Sequence, residues 1–159
     1  MPKIAACLWF DGQAEQAANH YTAIFPNSKI HGVTHYGPDS PGPEGGVMTV
    51  SFTLDGQQFT GLNGGPQYSF TEAISFQIMC ADQDEVDHYW NRLSDGGEEG
   101  PCGWLKDRFG VSWQIVPSVL PELIGDPEPG RAQRATQAML AMGKIDIAQL
   151  KRAADQVPA

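Results

Sequence analysis

Basic residues are scarce in this chain: 10 Lys and Arg stand against 19 Asp and Glu, a formal charge of -9 over 159 residues. Phosphate binding needs a clustered basic face, so nucleic acid is excluded as a partner. The one local basic bias, Arg131, Arg134, Lys144, Lys151 and Arg152, falls at helical spacing beside apolar residues and reads as a solvated helix face. Long apolar runs are missing too; none approaches the roughly 18 to 20 residues of a membrane-spanning helix, and no membrane association is expected. Cysteine is limited to Cys7, Cys80 and Cys102, which cannot all pair within one chain and include no CxxC motif. Reduced thiols, and the absence of signal-peptide anatomy in Met1-Pro2-Lys3-Ile4, point to a cytoplasmic protein.

What is present suits one folded domain rich in sheet. Hydrophobic residues make up 41%, enough for a sizeable core, and 18 Gly with 12 Pro call for many tight turns. Residues 3–10 form an apolar run of strand length, broken by Asp11-Gly12. Ala14, Ala17, Ala18, Tyr21 and Phe25 then trace one helical stripe, stopped by Pro26. Strands are predicted at Lys29–Tyr36, Val47–Leu54 and Gln57–Asn63, the last two joined through the hairpin pair Asp55-Gly56. The Pro/Gly-rich run 37–46 reads as a long mobile loop.

The pattern then restarts. A strand is predicted over Ala73–Cys80, with Ile74, Phe76 and Ile78 alternating. Asp82 with Glu85 forms a capping box ahead of the stripe Val86, Tyr89, Trp90 and Leu93. Short strands follow near Glu98–Cys102 and Gly103–Lys106, then a turn and a strand Val111–Pro117. The order strand, helix, strands therefore occurs twice. Beyond Ser118 come a helical turn at Pro121–Ile124, a helix after Asp126-Pro127-Glu128, and a last helix opened by Asp146 with Gln149.

Several blocks are similar to a known family: Leu8-Trp9-Phe10-Asp11-Gly12-Gln13-Ala14-Glu15-Gln16-Ala17, Leu62-Asn63-Gly64-Gly65-Pro66, Gly100-Pro101-Cys102-Gly103-Trp104-Leu105-Lys106-Asp107 and Gly110-Val111-Ser112-Trp113-Gln114-Ile115-Val116-Pro117. They resemble the PhnB-like group, whose members often carry the label 3-demethylubiquinone-9 3-methyltransferase. That group belongs to the vicinal-oxygen-chelate superfamily, with glyoxalase I, extradiol dioxygenases and bleomycin-resistance proteins. The resemblance implies an α+β fold of two βαβββ modules forming an incomplete barrel, as a homodimer. The expected organisation is a glyoxalase-like domain over 1–117, with modules 1–66 and 67–117. A C-terminal helical extension over 118–159 would pack on that domain or on the dimer partner.

Metal-dependent members of the superfamily take His, Glu or Gln ligands from the first and last strands of each module. Carried over, those positions fall near Ala6 and Ala73 and at Asn63 and Gln114. Two alanines cannot ligate, and two amides suit a divalent cation poorly, so no metal and no cofactor are expected. His20, His31, His35 and His88 stand elsewhere in the chain. A doubly wound methyltransferase would need a glycine-rich turn running from strand into helix, whereas Gly61–Gly65 is followed by Pro66. The remaining candidate is a cavity lined by aromatic and amide side chains: Trp9, Asn63, Trp104, Trp113 and Gln114, with Cys102 beside them. Aromatic faces stack on flat molecules and amides fix polar groups, so a small organic molecule is the expected ligand, held by sequestration. Alternatives are an enzyme of the glyoxalase or dioxygenase kind, the methyltransferase of the family label, and a structural or regulatory homodimer whose cavity is filled by its own side chains.

Overall fold

The computed structural model describes residues 3–156; Met1 and Pro2, at the approach to the first expected strand, and the last three residues of the extension lie outside them. The chain divides into two units between Phe70 and Thr71. In the first, β1 (Ala6–Phe10) leads into α1 (Ala14–Ile24), followed by β2 (Lys29–His35), β3 (Val47–Leu54) and β4 (Gln57–Asn63). The strands lie in the order β1-β4-β3-β2. β1 runs parallel to β4, and the other neighbours are antiparallel.

Alternation sorts the side chains of this sheet. Leu8, Phe10, Val50, Phe52, Leu54 and Phe59 are buried, and α1 buries Ala14, Ala17, Ala18, Tyr21 and Ile24 in the same core. Tyr21 and Phe52 are both fully buried, each such side chain contributing about 1.5–3 kcal/mol by burial. Gly61 is glycine for proximity: a Cβ there would stand 3.1 Å from the Ala14 methyl. Asp55 and Gly56 both have positive φ (48° and 80°), the primed hairpin turn their pairing predicts. The 37–46 loop is joined at its ends, where Tyr36 N–H donates to Gly46 O and Gly45 N–H to Tyr36 O, both at 2.8 Å.

The second unit repeats the order: β5 (Ser75–Cys80), α2 (Gln83–Ser94), β6 (Glu98–Glu99), β7 (Trp104–Lys106) and β8 (Ser112–Pro117), arranged β5-β8-β7-β6. Again the first and last strands are parallel. Neither four-stranded sheet closes into a barrel. Ile74 falls before β5 and is 72% exposed, so the alternation expected through it begins only at Phe76. Asp82 accepts from Glu85 N–H at 2.9 Å, and Asp146 from Gln149 N–H at 3.0 Å, the N-terminal caps that their spacing predicts.

Three helices follow: α3 (Val119–Ile124), α4 (Pro129–Leu140) and α5 (Ile147–Asp155). They share a core of Leu120, Leu123, Ala135, Met142, Ile145, Leu150 and Ala154. The α4–α5 turn is hydrogen-bonded to the rest of the unit. Met142 O accepts from Cys102 N–H at 2.7 Å and Gly143 O from Gly103 N–H at 2.8 Å. Gln83 at the start of α2 donates to Ile145 O at 3.0 Å and accepts from Ile147 N–H at 2.9 Å. No helix among the described residues is long and apolar enough to cross a membrane.

Candidate functional site

Register decides which side chains of the second sheet share a face. Trp104 stands opposite Gln114, and Lys106 opposite both Ser112 and Glu98. Ser112 pairs with Ser75, and Gln114 with Gln77. Directly paired residues project to the same side, so one face carries Ser75, Gln77, Glu98, Trp104, Lys106, Ser112 and Gln114. The other carries Phe76, Ile78, Cys80, Leu105, Trp113 and Ile115, toward the buried stripe of α2. One face is apolar and covered. The other is polar around a single indole, with Met79 and Val116 paired at its far end.

A cavity of about 400 Å³ opens on the polar face, walled by the Pro101–Trp104 segment and by Glu72, Glu98, Lys106 and Ser112. Lys106 forms an ion pair with Glu72. The bond to the ammonium holds the Glu72 carboxyl below its usual range, and the same contact raises the lysine. Ser112 is only 1% exposed, and its hydroxyl has no hydrogen-bond partner in the structure. A buried hydroxyl without a partner is unusual, because its desolvation is left uncompensated. Ser112 is one of the residues that line the cavity. Glu99 reaches the other way and accepts from Trp90 Nε1 at 3.0 Å.

The residues expected to form the site have distinct placements. Trp104 is half-buried and lines the cavity, as does Cys102. Cys102 has φ +57° and Gly103 +84°, a tight turn that swings the chain into β7. Gln114 lies on the same face as Trp104, donating to Ser75 Oγ at 2.8 Å and accepting from Gln77 at 3.5 Å. Trp113, expected to lie near Trp104, is on the opposite face because it pairs with Leu105. It is 2% exposed, beside Phe76.

In the first unit, Trp9 donates to Gly65 O at 2.9 Å and meets Tyr68 edge-on. Asn63 pairs with Phe10 on the helix side; its Oδ1 accepts from Ala14 N–H at 2.8 Å, and its Nδ2 donates to Val47 O at 3.1 Å. That amide therefore starts α1 and ties β3 to β4. Sequence reasoning did not single out Ser112, Glu72 or Glu98 as site residues. The i, i+2 spacing of Ser112 and Gln114 against Trp104 and Lys106 was the available signal, but it becomes legible only when the register is known.

The metal that the fold family implies is poorly matched by these residues. Among the described residues, no group of three or more His, Cys, Asp and Glu side chains is placed to hold an ion. Ala6 shares the helix face with Leu8 and Phe10, Ala73 precedes β5, and Gln114 is already bonded to Ser75 and Gln77. The donor set does not fit a divalent cation.

Two successive βαβββ units with open sheets define a protein of the vicinal-oxygen-chelate, glyoxalase-like superfamily. Within it, the chain belongs to the PhnB-like family described as 3-demethylubiquinone-9 3-methyltransferase, whose family model matches residues 2–116. The PhnB protein of Bacillus cereus is 34% identical, with a TM-score of 0.65 over 73% of this chain and 99% of that one. A crystal structure of a Pseudomonas aeruginosa protein shares the fold at 20% identity and a TM-score of 0.61, covering 74% of this chain and 98% of the other. Fosfomycin resistance protein FosX from Mesorhizobium loti shares it at 11% identity and a TM-score of 0.53, over 73% and 92% of the two chains. No curated protein matches the chain.

Proposed function

We propose that this protein binds a small organic molecule in the cavity of its second unit and acts by holding it rather than through a metal. One observation carries the reading: the unpartnered, buried Ser112 hydroxyl in the wall of a cavity that also presents the half-buried Trp104 ring. An aromatic face next to an unused hydrogen-bonding group suits a flat molecule with one polar edge. Cys102 and Gln114 belong to the same reading as neighbours of Trp104, whereas Trp9 and Asn63 make their hydrogen bonds within the first unit and Trp113 lies on the covered face of the second sheet. The methyltransferase chemistry of the family description has less support. The Gly64-Gly65-Pro66 segment after β4 leads into no helix that would back a cofactor against a parallel sheet.

The reading includes a homodimer, supported by the exposed Ile74 (72%) and Met79 (52%) at edge strand β5. It also includes a reducing, cytoplasmic setting, supported by three free thiols. Tryptophan fluorescence titrated with a panel of planar metabolites and antibiotics tests the binding. Saturable quenching by some members is expected, lost in Trp104→Leu and weakened roughly tenfold in Ser112→Ala, about the worth of one hydrogen bond. A flat response to the whole panel, or quenching indifferent to both substitutions, overturns the proposal.

A further inference from the structure

The charges around this cavity are unequal, and their pairing states what charge a ligand can carry. The lining holds three carboxylates, Glu72, Glu98 and Glu99, against one ammonium, Lys106. Lys106 is bound to Glu72, and Glu99 is bound to the Trp90 indole on the opposite side of the sheet. Glu98 shares the Lys106 face but makes no side-chain hydrogen bond or ion pair among the described residues. Pro101, Cys102 and Trp104 share the lining with it, the Trp104 ring half-buried.

Resting on the binding reading above, we infer that the cavity selects aromatic or heteroaromatic cations: a protonated nitrogen against Glu98, the ring on Trp104, a polar edge at Ser112. An indole face attracts a cation through its quadrupole, and the attraction grows as water is excluded. Glu98 adds a formal charge that no cation of the protein neutralises by contact. A carboxylate or phosphonate ligand meets the opposite situation. It must either separate Lys106 from Glu72 or enter beside three like charges, and the field of a chain with formal charge -9 opposes its approach.

The test is a matched pair of planar dyes, aminoacridine (cationic) and acridine carboxylate (anionic), titrated into the full-length protein at low ionic strength. The wild type is expected to bind aminoacridine about tenfold more tightly, in line with one cation–π contact beside an exposed carboxylate. In Glu98→Gln that preference collapses, while both dyes still require Trp104. If the anionic dye binds equally well or better, or the preference survives Glu98→Gln, charge selection is overturned. If both dyes bind equally and Trp104→Leu abolishes both, the cavity reading stands and the cation selection falls. If neither dye binds the wild type, both readings fall.

Discussion

The Trp113 indole N–H donates to Asp107 Oδ2 at 2.8 Å in the protein interior. The other oxygen of that carboxylate accepts from Phe109 N–H at 2.9 Å and Val111 N–H at 3.0 Å. One side chain, 3% exposed, thus shapes the β7–β8 turn and holds the indole on the helix side of the sheet. Its neighbour in the hairpin, Trp104, stays on the open side.

Asp107→Ala should accordingly be among the most destabilising single substitutions. Three donors lose their acceptor, one of them a buried indole, and we expect a loss of about 3 kcal/mol in urea unfolding. Asp107→Asn keeps the Oδ1 acceptor but turns an amide N–H toward the indole N–H, and should cost about 1–2 kcal/mol. A loss below about 1 kcal/mol for the alanine variant would contradict the role given to this carboxylate.

The three thiols should differ in reactivity. Cys80 is fully buried, and burial, with Glu85 and Asp82 nearby, pushes its pKa up to about 12 from 9.0. Iodoacetamide at mildly alkaline pH should therefore label the exposed Cys7 and half-buried Cys102 well before Cys80. The sign of the linkage follows from the raised value. The folded state retains the proton more tightly, so this contribution to stability is complete below pH 9.0 and is lost as pH rises from there toward about 12. The stability gap between wild type and Cys80→Ala should be constant at neutral pH and narrow above pH 9.0. A gap that stays constant up to pH 11 or so would show that the thiol is not protected in this way.

Gln83 is the pin of the C-terminal helices. It bonds Ile145 O and Ile147 N–H, and the turn it secures accepts the amides of Cys102 and Gly103 in the cavity wall. Gln83→Ala should cost about 1–2 kcal/mol and speed amide hydrogen exchange at Cys102 and Gly103. Faster exchange there, without a change in the α1 amides, is the signature of a loosened wall; unchanged exchange would mean that the turn holds without its pin.

Much of the fold was legible because its signals are local. The stripe Ala14, Ala17, Ala18 and Tyr21 set α1, Asp82 and Asp146 capped their helices, and Asp55-Gly56 made its hairpin. These depend on residues at most a few positions apart. The site was less legible because it depends on pairing between strands. Asn63 and Gln114 look alike as amides late in their modules, yet Asn63 faces the helix and Gln114 faces the open side. The tryptophans divide in the same way: Trp104 and Trp113 flank one turn, but their register places them on opposite faces.

By itself, the sequence determined the scarcity of basic residues and the formal charge of -9, because formal charge needs no coordinates. It also determined the doubled element order. Only the tertiary structure decided that Ser112 loses its water without gaining a partner, and that the one ammonium of the cavity makes its contact ion pair with Glu72 while Glu98 stands opposite it without one. Desolvation and ion pairing are properties of neighbours in space, and the strands that bring these residues together are joined by register rather than by sequence.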